Sequence, residues 1–149
     1  MRLMSLLLLV CMALVAGCAG PTTVYIKGVE PLNLNEKNES TSVDIRIFQL
    51  KDDSAFMALP FDQLWADKGA ALGGDKLGEV KQITVYGGPA TAEPRPIELG
   101  DLNKDCRFVG IMALYPKSDG KGEQRVVVTA SDAGSVVFEL TGYRIDAKK

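Results

Sequence analysis

The chain has 149 residues, of which 17 are Lys or Arg, 19 are Asp or Glu and none is histidine, for a formal net charge of −2. A slightly acidic chain whose cations are scattered gives no footing for nucleic acid. The lack of histidine removes the Ser-His-Asp triad, the Cys-His pair and the H-E-x-x-H metal site.

Residues 1–17 divide into a cationic start at Arg2, an apolar run from Leu3 to Ala13 broken only by Ser5, and small residues at Ala16 and Gly17. The run falls short of the roughly 20 apolar residues that span a bilayer. Val15-Ala16-Gly17-Cys18 resembles the lipobox of a bacterial lipoprotein precursor. The resemblance implies cleavage before Cys18, diacylglycerol on its thiol and an acyl group on its freed amine. An ordinary secretory signal is the alternative, but Val15-Ala16-Gly17 fits an A-x-A site poorly. A buried core helix is a second alternative, disfavoured by Arg2 and the Gly20-Pro21 break. The reading divides the chain into a signal peptide over 1–17, a lipidated tether over 18–22 and one folded domain over 23–149. Removing the 17-residue leader leaves 132 residues with 16 basic and 19 acidic side chains, enough for a real core. Ala19, where an Asp would favour inner-membrane retention, implies export to the inner leaflet of the outer membrane, with the domain in the periplasm. Cys11 leaves with the leader and Cys18 is acylated, so Cys106 is the remaining thiol and no internal disulfide can form.

Thr23–Gly28 alternates as a first strand. Pro31–Ser42 follows as a polar stretch whose second half lacks apolar residues, the pattern of an exposed loop. Val43–Lys51 is a strand with Val43, Ile45 and Ile47 on one face; Phe48 and Leu50 then change phase, which calls for a bulge or a cover on the second face. From about 53 to 74 the period becomes helical. Asp53 or Ser54 suits a cap, Pro60 a first turn, and Gly69 a helix end, while Phe61, Leu64 and Trp65 make one apolar face. Trp65, the single tryptophan, reads as the anchor of this insertion. Strands are expected over Glu79–Tyr86, over Pro96–Leu99 as an edge, over Arg107–Tyr115 as a central strand covered on both sides, over Arg125–Ala130 and over Ser135–Ile145. A polar turn is expected over Asp119–Glu123, and the last strand changes phase near Gly142. About seven strands with turn signals between them predict an all-β, antiparallel two-sheet β-sandwich with a short helical insertion.

No catalytic constellation emerges. Gly73-Gly74 and Gly87-Gly88-Pro89 do not make a phosphate loop, and Ser118-Asp119-Gly120 lacks the ligands of a calcium loop. Cys106 has no base to activate it. The chain is therefore read as a non-enzyme without cofactor or metal, whose loops do the recognising. Two further readings stand beside this one. One is a periplasmic lipoprotein that binds a glycan or small ligand through Tyr25, Tyr86 and Tyr143. The other is a hydrolase with two carboxylates facing one cleft.

Three stretches, together with the lipobox, resemble the TssJ family, the outer-membrane lipoprotein of the bacterial type VI secretion system. They are Val43-Asp44-Ile45-Arg46-Ile47-Phe48-Gln49-Leu50 running into Asp52-Asp53, then Phe56, Phe61-Asp62-Gln63-Leu64 and Leu72-Gly73, and finally Phe108-Val109-Gly110-Ile111-Met112-Ala113-Leu114-Tyr115. The likeness covers nearly all of the domain in order. The chain departs from the family at Gln124-Arg125, where Trp-Arg is common, and at Gly87-Gly88, where a Pro-Gly turn is usual. The resemblance implies a transthyretin-like sandwich and docking to the periplasmic C-terminal region of TssM, and through it to TssL. It assigns the docking to the loop after the first strand, which here is Asn33–Ser42 with Asn33, Asn35, Glu36, Lys37, Asn38, Glu39 and Ser40 as contact residues.

Overall fold

The computed structural model describes residues 20–116 and 124–149. The leader, Cys18 and the turn expected over Asp119–Glu123 lie outside the described residues. Among the described residues, eight strands form two sheets of four, as an all-β sandwich requires. The first sheet holds β1 (Thr22–Leu32), β4 (Arg95–Gly100), β7 (Val137–Gly142) and β8 (Arg144–Lys148), in the order β4-β1-β7-β8. The second holds β2 (Val43–Leu50), β3 (Lys76–Val85), β5 (Phe108–Leu114) and β6 (Arg125–Thr129), in the order β3-β2-β5-β6. Between β2 and β3 lie α1 (Ser54–Ala58), α2 (Phe61–Ala66) and a 3₁₀ helix over Ala70–Asp75.

Alternation decides which side chains meet between the sheets. Val43, Ile45 and Ile47 of β2 and Val109, Ile111 and Ala113 of β5 pack there against Val24, Ile26, Phe138 and Leu140. Each such fully buried large side chain contributes about 1.5–3 kcal/mol. Phe48 and Leu50 point the other way, into a second cluster with Phe56, Leu64, Leu72 and Met112 beneath the helices. Both explanations of the phase change hold. The β2–β3 register shifts between Ile47 and Gln49, and the insertion covers the outer face of β2 and β5. Gly110 permits that cover, because a Cβ there would stand 2.9 Å from the Phe56 ring and from Leu50 Cδ1.

Two arginines fasten the insertion to the sheet. Arg46 of β2 stands 4.2 Å over the Trp65 ring, donates to the Trp65 carbonyl oxygen, and reaches Gln82 Oε1 at 3.0 Å. Phe61 lies parallel to Trp65 with ring centres 5.8 Å apart. Arg125 of β6 approaches Phe61 at 5.9 Å and donates to the carbonyl oxygens of Phe56 and Leu59. Burial lowers the Arg125 pKa from its ordinary value. Trp65 thus anchors the insertion, as its sequence position suggested.

Several expectations are corrected. β1 runs on to Leu32, past the predicted end at Gly28, because Val29 and Leu32 still find partners on β7. The single strand expected over Ser135–Ile145 is two, since Gly142, at φ 57°, makes a tight reversal in which Thr141 pairs with Arg144. The first sheet is not wholly antiparallel, because β1 and β7 run parallel from Tyr25 opposite Val137 to Val29 opposite Thr141. At the start of α1 neither Asp53 nor Ser54 caps through its side chain; Asp52 Oδ1 accepts from the Ser54 N–H at 2.9 Å. Hydrogen bonding from Ser54, its hydroxyl first and this N–H second, holds the Asp52 carboxyl below the ordinary carboxylate range. Gly69 does close the turn after α2, at φ 75°, donating its N–H to the Leu64 carbonyl at 2.9 Å.

Candidate partner-docking loop

The chain leaves β1 at Leu32 and enters β2 at Val43, and the base of the connecting loop is locked. Asn33 adopts φ 47°, a conformation that Asn tolerates better than most residues. Its side-chain amide donates to Thr41 Oγ1 at 2.7 Å and to the Ser42 carbonyl at 2.9 Å. Thr41 Oγ1 in turn donates to the Asn33 carbonyl at 2.6 Å, and the Asn33 N–H reaches the Gly142 carbonyl at 2.8 Å. Ser40 Oγ accepts from the Leu32 N–H at 3.1 Å.

The tip is a second closed unit. Asn35 Oδ1 accepts from the N–H groups of Lys37 and Glu39, at 2.8 and 3.0 Å. Its amide donates to Glu39 Oε2 at 2.9 Å, and the Asn35 N–H meets the Glu39 carbonyl at 3.0 Å. Such Asn-centred turns need no tertiary support. Two tyrosines brace the loop from below. Tyr143 donates its hydroxyl to the Leu34 carbonyl at 3.0 Å and meets Tyr115 edge-on at 6.3 Å. Tyr115 is buried and donates to the Arg144 carbonyl at 2.7 Å. Burial, with the Asp146 charge second, pushes the Tyr115 hydroxyl well above its ordinary 10.0.

The structure thus sorts the seven expected contact residues. Asn33 is buried at 7% exposure, so the expectation of a solvated loop fails at its first residue: its amide satisfies backbone and side chains across the loop base. Asn35, Glu39 and Ser40 hold the loop's shape. Glu36, Lys37 and Asn38 are exposed, and among the described residues their side chains make no hydrogen bond or ion pair. A depression of about 250 Å³ beside them is lined by Leu34, Asn35, Glu36 and Pro116. Sequence reading missed Thr41, Gly142 and Tyr143 as parts of the site. An Asn directly after a buried strand Leu was the available signal for the left-handed turn; the Tyr143 contact spans 109 residues and has no local signature.

The other candidates are dispersed. Tyr143 is committed to Leu34, while Tyr25 and Tyr86 each border one of two adjoining cavities elsewhere on the sandwich. Cys106 is half-buried, with its thiol against the Phe108 carbonyl at 3.3 Å and its pKa raised by burial.

Fold and loop together define a β-sandwich module with an ordered, charged loop at one end of its first strand and helices over one sheet. The chain belongs to the family described as type VI secretion lipoprotein, VasD, EvfM, TssJ, whose model matches residues 21–146. Among solved structures it is similar to the type VI lipoprotein TssJ1 from Pseudomonas aeruginosa, at 25% identity and a TM-score of 0.67, covering 87% of this chain and 98% of that one. Serratia marcescens Lip, a membrane-bound component of the same system, aligns at 18% identity and a TM-score of 0.74, with the same coverage. A chain of the structure described as T6SS protein TssM C-terminal domain from EAEC aligns at 21% identity and a TM-score of 0.72 over 87% of this chain and 98% of its own length. No curated protein sequence matches the chain.

Proposed function

We propose that this lipoprotein is the outer-membrane anchor of a type VI secretion membrane complex and has no enzymatic role. In this reading Cys18 carries the diacylglycerol and N-acyl chains, and the domain stands in the periplasm beneath the inner leaflet. Each buried methylene adds about 0.8 kcal/mol, so one chain holds marginally and several hold stably. The exposed loop residues Glu36, Lys37 and Asn38 dock the periplasmic C-terminal region of TssM, which links onward to TssL.

Family membership supports the setting, and one observation carries the docking assignment. The loop is locked at its base and at its tip, yet among the described residues the exposed side chains of Glu36, Lys37 and Asn38 make no hydrogen bond or ion pair. A pre-ordered loop loses less entropy on binding than a flexible one. Its position also suits the task. β1 has 11 residues, and at about 3.3 Å per residue it separates the tether from the loop by roughly 36 Å. β1 therefore starts at one pole of the sandwich, at Thr22, and the loop leaves from the other. Retention at the membrane raises the effective concentration for the partner.

Calorimetry of the full-length protein with the TssM periplasmic region tests the docking. The Glu36, Lys37 and Asn38 triple alanine variant should bind at least tenfold more weakly with an unchanged melting temperature. Equal affinity would reject the loop assignment. Cys18→Ser should shift the protein from the outer-membrane fraction to the soluble periplasm and stop secretion. Secretion at wild-type level from that variant would refute the anchoring role.

A further inference from the structure

The two sides of the sandwich differ. On one side β6 packs against β8 and closes the seam. On the other, the edge strands β3 and β4 stand apart, and the gap holds two adjoining cavities of about 190 and 510 Å³ that share Ile83 and Arg95. Together they make one groove. Its floor is apolar, from Ile26, Ile83, Val85 and Ile97. Tyr86, 70% exposed, stands at one end and Tyr25, 38% exposed, at the other.

The rim carries three cations. Lys81 reaches across from β3 to the Glu98 carbonyl oxygen, and Lys27 to that of Ala90. Each ammonium has three donors, so both keep donors for a ligand. Arg95 lines both cavities. Among the described residues none of the three forms an ion pair. Glu93 and Glu98 also border the groove, which leaves it one cation in excess on a chain whose net charge is −2.

The shape selects an extended ligand. β3 and β4 each have one sheet neighbour, so each presents a free backbone edge. Pro96 removes a donor from β4, whereas β3 has no proline. The register shift in the β2–β3 pairing falls on the β3 side between Leu77 and Lys81, so regular pairing geometry runs from Lys81 to Val85. That is about 16 Å, room for roughly five extended residues.

We propose that this seam binds an extended acidic segment of a partner protein. The segment adds as a strand to the β3 edge at Lys81–Val85. Lys81, Ile83 and Val85 share one face of β3, so the segment's groove-facing side chains are carboxylates near Lys81 and Arg95 and apolar near Ile83 and Val85. This inference does not rest on the docking assigned to the loop after β1, since the two surfaces share no residue.

The probe is a fluorescein-labelled octapeptide, Glu-Thr-Val-Thr-Glu-Thr-Val-Thr, whose one strand face carries both glutamate and valine, titrated into the full-length protein in detergent at low salt and followed by anisotropy. Saturable binding is expected, with about tenfold loss for a lysine-for-glutamate peptide and again for the Lys81→Glu, Arg95→Glu double variant. Hydrogen exchange should slow at β3 amides when the peptide is added. A milder variant, Arg95→Gln, guards against misfolding and should weaken binding without moving the melting temperature. No saturable binding, equal affinity for the lysine peptide, or unaltered binding by both variants would overturn the proposal.

Discussion

Arg125→Ala is expected to loosen the helical insertion before the sandwich unfolds. Arg125 donates to Leu59 O at 3.0 Å and to Phe56 O, and stands 5.9 Å from the Phe61 ring. A hydrogen bond from a charged donor is worth about 1.5–3 kcal/mol net, and the cation–π contact about 0.5–1 kcal/mol. The freed carbonyls lie at the end of α1, where water can partly replace the guanidinium, so a loss of about 2–3 kcal/mol is expected. For a domain of this size that is a fall of roughly 6–15 °C in melting temperature. Trp65 is the chain's single tryptophan and stacks on Phe61, so its fluorescence reports the insertion while far-ultraviolet circular dichroism reports the strands. In Arg125→Ala the Trp65 emission should shift red at a lower temperature than the strand signal. Arg125→Lys, which keeps the charge but not the planar fork, should fall between. A melting temperature within about 1 °C of wild type, with coincident transitions, would refute the claim that Arg125 fastens the helices.

Three other outcomes follow from the same contacts. Asn33→Ala removes two amide hydrogen bonds and puts alanine at φ 47°, which should cost about 2–3 kcal/mol in chemical denaturation; Asn33→Gly, free of the backbone strain, should cost less, and equal losses would show that the amide bonds alone matter. Gly110→Ala drives a methyl group to 2.9 Å from the Phe56 ring and should destabilise by about 1–3 kcal/mol, partly relieved by Phe56→Leu; a neutral Gly110→Ala would mean that the helices can lift off the sheet at little cost. Tyr115 has a folded pKa raised above its ordinary 10.0, so above that pH the folded chain keeps a proton that the unfolded chain has lost, and stability falls as pH rises. Tyr115→Phe should be less stable at neutral pH by about 1 kcal/mol, yet lose less on going to pH 11; parallel profiles for the two proteins would contradict the burial argument.

Much of this molecule is legible along the chain. Val43–Leu50 alternates cleanly until Phe48, and the broken alternation itself forecast a second buried face. Arg107–Tyr115 reads as central because it is nearly all apolar, and the strand found there, Phe108–Leu114, is buried between two clusters. Trp65 sits where the anchor was expected, and Gly69 closes the turn just beyond a helix that already ends at Ala66. The candidate loop was less legible. Its composition marks a polar connection, but composition cannot tell a side chain that faces a partner from one that faces its own backbone. Asn33 and Glu36 look alike in sequence; one is sealed into the loop base and the other is exposed.

What the sequence by itself determined is local: the periods of strand and helix, and the lack of groups for histidine chemistry. Short-range sterics and solvation set these, so neighbouring residues suffice to read them. Tertiary structure alone decided the parallel pairing of β1 with β7, the stack of Arg46, Trp65, Phe61 and Arg125, the brace from Tyr143 to Leu34, and the open seam beside a closed one. Each depends on groups brought together from distant parts of the chain. Their partners are chosen by how two whole sheets pack, which no window of neighbouring residues contains.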